Sequence, residues 1–133
     1  MADRLDEARA STFDLAGVIG ATRDLLPTFG HSEDMARPHI EENGEELSWV
    51  VVERGTEQAR RTTRDMNELL YWVFEAVTFS MASDYELANR VEGQDSRIVL
   101  FKKQMELVGR LSGRWLARWR DEHAPMLREV GLA

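Results

Sequence analysis

An α+β fold is predicted by three observations. Apolar residues recur at helical spacing near the amino terminus and again from Asp65 onward, the period changes to two between Arg37 and Thr62, and two glycine turn pairs divide that stretch. The expected order is an N-terminal helix, a three-stranded antiparallel meander, then three helices packed on the sheet. A chain of 133 residues suits one domain over 1–133, because a second core would be starved of apolar surface.

Taken in order, Leu5, Ala8, Leu15, Val18, Ile19 and Leu25 place the first helix over about Arg4 to Leu25, with Pro27 blocking continuation. The polar, aperiodic stretch from Pro27 to Ala36 reads as a loop. Asn43-Gly44 is the preferred pair for a type I′ turn, and Gly55-Thr56 puts glycine where a II′ turn needs it. Between them, Leu47, Trp49 and Val51 alternate with Val50 and Val52, so both faces of the central strand are partly covered. This register sets Glu42 opposite Glu45 and Glu41 opposite Glu46, a like-charge arrangement that a splayed tip or a cationic partner would relieve.

The longest helix is expected from Asp65, paired with Glu68 as a cap, to Val91 before Gly93. Met66, Leu69, Leu70, Val73, Val77 and Val91 form its stripe, leaving a polar strip of Tyr71, Glu75, Thr78, Glu86 and Asn89. Ser80 and Asp84 fall within the apolar stripe at about 100° per residue. A buried Asp84 needs a partner, and Arg90 and Arg97 are nearest in sequence. Asp95 or Ser96 caps the next helix, which buries Ile98, Phe101, Met105 and Val108. Ser112-Gly113 breaks the chain, and Pro125 kinks or restarts a last helix carrying Trp115, Trp119 and Leu127.

Composition excludes several functions. The absence of cysteine removes disulfides, thiolate nucleophiles and cysteine-rich zinc sites. The start, Met1-Ala2-Asp3-Arg4, lacks the basic and apolar regions of a secretory signal, and no run reaches the roughly 18 apolar residues of a membrane span, so the cytoplasm is expected. Net charge is −7, concentrated between Glu33 and Glu57, where eight acids face only Arg37 and Arg54. Such a segment repels nucleic acid and steers a basic protein surface toward it.

No phosphate loop, H-E-x-x-H or G-x-S-x-G motif occurs. His31, His39 and His123 are far apart, and the polar loop of His31, Glu33 and Asp34 reads as solvated, so no metal or cofactor is expected. Asp84 has no neighbouring base or nucleophile to make it catalytic. Glu86 and Arg90 have the i to i+4 spacing of a helix ion pair. The four tryptophans lie on or beside predicted core stripes.

Val52-Glu53-Arg54-Gly55 and Leu69-Leu70-Tyr71-Trp72-Val73-Phe74 carry a likeness that continues through Ala82, Tyr85-Glu86-Leu87, Arg90, Gly93-Gln94-Asp95-Ser96-Arg97, Phe101, Gln104, Leu107 and Trp115. Over most of residues 37 to 120 the chain resembles the immunity protein 63 family of bacterial polymorphic toxin systems. One departure is Ile98, where the pattern has a second arginine after Arg97. The resemblance implies a non-enzymatic protein that neutralises a cognate toxin by stoichiometric occlusion. The expected contact is the acidic hairpin, Glu41, Glu42, Glu45 and Glu46 with Asp34, against a basic toxin surface. Asp84, Glu86, Arg90, Asp95 and Arg97 are expected to form a structural polar network.

Two other classes stand beside this reading. A small acidic secretion chaperone or adaptor would bind a partner segment through an exposed apolar groove. A small enzyme would need a deep polar cleft around Asp84 and Glu86. The exposed flank of the long helix leaves homodimerisation open.

Overall fold

The computed structural model describes residues 3–133. The chain forms two compact units, Met1–Phe74 and Glu75–Ala133. In the first, α1 (Arg4–Ile19) starts at Asp3, whose side chain accepts a hydrogen bond from the Asp6 N–H at 2.7 Å, with Asp6 and Glu7 favourably placed in the first turn. The helix ends earlier than its apolar spacing suggests. Gly20 takes up φ +71° and Ala21 N–H closes onto the Ala16 carbonyl, so glycine rather than Pro27 is the terminator. Arg23–Leu25 forms a separate single 3₁₀ turn.

The sheet has four strands rather than three. β1 (Thr28–Phe29), β2 (His39–Asn43), β3 (Glu46–Glu53) and β4 (Thr56–Thr63) lie in that order. The antiparallel meander expected from the sequence is β2 to β4. The correction is β1, which lies in the stretch read as loop and pairs parallel to β2 through Thr28 N–H to the Pro38 carbonyl and Gly30 N–H to the Ile40 carbonyl. Two residues are too few to display an alternating pattern, so only the backbone hydrogen bonds reveal it.

Both turns use the anticipated glycine, each shifted by one residue. Asn43 pairs with Glu46, so the first turn is Gly44-Glu45, with Gly44 at φ +63° in the first central position. Glu53 pairs with Thr56, so the second is Arg54-Gly55, with both residues at positive φ, +54° and +74°, as a I′ turn requires. The first shift changes every cross-strand pair: Glu42 faces Leu47 and Glu41 faces Ser48. The like-charge pairs predicted at this tip therefore do not form. Between Val51 and Val52 the register slips, leaving Gln58 as an extra residue on β4.

This unit buries Ala8, Ala16 and Ile19 of α1 with Ile40, Leu47 and Val50 of the sheet. α2 (Met66–Ala88) begins on Asp65, whose side chain accepts from the Asn67 N–H at 2.8 Å. Its residues Leu69 to Phe74 are all buried, and Trp72 lies under the Arg61 guanidinium at 4.5 Å.

From Glu75 onward α2 belongs to the second unit with α3 (Ser96–Leu111), α4 (Gly113–Glu122) and α5 (Ala124–Glu129). The buried face here differs from the predicted stripe. Val77, Thr78, Ala82 and Glu86 are buried, while Phe79, Ser80, Asp84, Leu87 and Val91 are exposed. The polar residues on the buried face are satisfied: buried Gln104 of α3 donates through Nε2 to Thr78 Oγ1 and to the Glu75 carbonyl, both at 3.1 Å. Asp95 caps α3 by accepting the Arg97 N–H, Ser112 caps α4 by accepting the Trp115 N–H, and Pro125 sits in the first turn of α5. Phe101, Leu107, Trp115, Trp119 and Leu127 complete the core, with Phe101 edge-on to Trp119 and His123 stacked on its indole at 4.0 Å.

Candidate partner-binding surface

The β2–β3 hairpin gathers four of the five acids singled out as contact residues. Their surroundings differ. Glu41 Oε2 lies 2.7 Å from Nε2 of buried His39, and its Oε1 accepts from Arg60 at 3.2 Å. The His39 hydrogen bond, with Arg60 in support and burial opposing, holds the Glu41 carboxyl below the usual glutamate range. Glu42 Oε1 accepts the first amide of α1, the Arg4 N–H, at 3.1 Å. Both side chains are thereby bound into the fold.

Glu45 sits in the turn itself and is exposed, with a loose 3.7 Å ion pair to Arg64 in which both side chains are more than 70% accessible, 79% and 73%. A pair this exposed contributes little to stability. Glu46 is half-buried beside it. Among the four hairpin acids only Glu45 is exposed.

Asp34 is not part of this cluster. Its carboxylate accepts the Gly55 N–H at 2.7 Å, in the turn at the other end of β3, and the residue itself adopts φ +52°. It closes the β3–β4 turn from outside, helped by the Met35–Glu53 bridge. Asp and Asn are the residues that tolerate this backbone region best after glycine.

Of the expected polar network, Glu86 and Arg90 form a two-pronged ion pair at 2.8 and 3.0 Å, which lowers the Glu86 pKa. Arg97 bonds Asp95 at 2.8 Å and Glu129 of α5 at 2.9 Å, so it ties the start of α3 to the last helix, and the Asp95 carboxyl is held low by Arg97. Asp84 joins neither pair. It lies exposed on the outer face of α2, against the expectation of a buried carboxylate. No cluster of three or more metal-ligating side chains occurs among the described residues, and no helix there is long and apolar enough to cross a membrane.

Sequence reasoning missed the counter-charges. Arg60 lies on β4, two strands from Glu41, and Arg64 lies just beyond β4 and pairs with Glu45 of the β2–β3 turn. The cluster of Arg60, Arg61 and Arg64 directly after an acidic segment was the available signal.

The first unit carries a sheet hairpin with an acidic tip, and the second is helical. The model of immunity protein 63 matches residues 43–125, and the chain belongs to that family of immunity proteins. The matched region contains Glu45, Glu46 and the Glu86–Arg90 and Asp95–Arg97 pairs, and leaves out Asp34, Glu41 and Glu42. No curated protein and no solved structure matches the chain.

Proposed function

We propose that this protein is a cytoplasmic, non-enzymatic immunity protein that neutralises a cognate toxin by binding it stoichiometrically and covering its working surface. Family membership carries the reading. The contact is proposed at the β2–β3 tip, with Glu45 and Glu46 leading, Glu41 and Glu42 behind them, and Asp34, at the other end of β3, in a lesser role. The fold supplies the reason for that order, because the last three already accept internal hydrogen bonds. A negative tip raises the rate of encounter with a basic toxin, and speed matters when the toxin must be caught before it acts. The partner is accordingly a protein with a basic contact surface rather than a nucleic acid.

The test is co-expression with the product of the gene immediately upstream, with toxicity scored in cells with and without this chain. Growth restored by this chain, together with a one-to-one complex by native mass, supports the proposal. A toxin that still kills and does not bind contradicts it.

The secretion adaptor remains the second reading because Phe79, Leu87 and Val91 are exposed on α2 and just beyond its end, at 51%, 66% and 48% accessibility. An adaptor would leave toxicity unchanged and lose its client on Leu87→Glu substitution.

A further inference from the structure

We propose that a cationic cavity in the first unit binds a phosphate or carboxylate group carried on a flat apolar body. The cavity has a volume of about 270 Å³ and is lined by Arg9, Phe13, Arg23, Phe29, His31 and Arg37 among others. These residues precede the family-matched region, and the site is independent of the toxin contact proposed above.

Arg9 and Phe13 lie four residues apart on α1 and so share a face. The Phe13 and Phe29 rings meet edge to face at 6.3 Å and 62°, forming an apolar floor. Over this floor lie two guanidinium groups, Arg9 at 5.5 Å from the Phe29 centroid and Arg23 at 5.2 Å from that of Phe13. Arg37 is a fixed wall, since it donates to the carbonyls of Leu26 at 2.9 Å and Arg23 at 2.8 Å and pairs with Glu33.

Arg9 is paired with Asp6 at 3.0 Å, but Arg23 forms no ion pair among the described residues. The carboxylate of neighbouring Asp24 accepts the Thr22 hydroxyl instead. A guanidinium stacked on a ring keeps its N–H edge available for an oxyanion, which it meets in bidentate fashion. Arginine charge above phenyl rings, in a chain of net charge −7, fits an anion with one ring. The volume is near the small end for ligand cavities and suits such a group.

The probes are phenyl phosphate, phenylacetate, inorganic phosphate and benzyl alcohol, titrated into the full chain by calorimetry with NMR shift mapping. One or both aromatic anions should bind roughly tenfold or more tightly than inorganic phosphate and benzyl alcohol, with shifts at Phe13 and Phe29. The tighter of the two identifies phosphate or carboxylate as the native group. Arg23→Gln should weaken the preferred anion roughly tenfold or more, and Phe13→Ala should erase its advantage over inorganic phosphate. Shift mapping on the unaltered chain keeps the test valid if either variant fails to fold. Absence of binding by both aromatic anions, shifts centred elsewhere, or equal binding of benzyl alcohol overturns the proposal.

Discussion

Nε2 of His39 and Oε2 of Glu41 lie 2.7 Å apart on one face of β2, with the imidazole buried and the carboxylate at the surface. An acid that looks available in the sequence is thus committed within the fold. Charge reversal at Glu41 combines a folding defect with any change in binding, whereas Glu45 and Glu46 can be altered with less structural consequence.

Acid should weaken the folded state through three carboxylates. Glu41, Glu86 and Asp95 are held below their ordinary pKa, by His39, Arg90 and Arg97 respectively as the largest cause. Such groups contribute stability above their unfolded pKa and lose it as pH falls through the folded value, so the loss begins below about pH 5. Urea midpoints measured from pH 7 to pH 3 should fall, and the fall should be shallower in an Asp95→Asn variant.

Gln104→Ala should cost about 2–3 kcal/mol, since it deletes a buried side chain and strips Thr78 of a donor. The urea midpoint should drop with little change in slope. A cost below about 0.5 kcal/mol, the scale of an ordinary surface substitution, would show that Gln104 does not fix α3 on α2.

Arg54→Gly should stabilise the protein by roughly 0.5 kcal/mol. Arg54 adopts φ +54°, a conformation that costs a non-glycine residue about 1 kcal/mol, while added freedom in the unfolded chain offsets part of the gain. Thermal unfolding of the two forms measures the difference.

Asp34→Ala should destabilise by about 1 kcal/mol through loss of its bond to the Gly55 amide, with the toxin association rate reduced far less than by change at the hairpin tip. Denaturation and stopped-flow association on the same variant separate the two effects.

The elements were legible where local chemistry decides them. The strand pattern of Leu47 to Val52, the cap at Asp95 or Ser96, the break at Ser112-Gly113 and the restart at Pro125 depend on neighbours in sequence. The exact turn residues were not, because a glycine satisfies either central position and the pairing of Asn43 with Glu46 chooses between them. α2 misled for another reason. Its apolar stripe implies one buried face, yet Gln104 and Arg90 satisfy Thr78 and Glu86 and so let polar positions turn inward, leaving Asp84 outside. The candidate contact was legible as charge, but its division into committed and available acids depends on Arg4, His39 and Arg60, which only the fold brings near.

The most direct measurement is the association rate of the cognate toxin with the unaltered chain and with a Glu45→Lys, Glu46→Lys variant, at low and high salt, alongside survival of cells expressing each pair. A rate reduced about tenfold or more at low salt, a gap that narrows as salt screens the charges, and weakened protection are the results predicted. Equal rates and full protection by the reversed variant would contradict the claim that the hairpin tip meets the toxin.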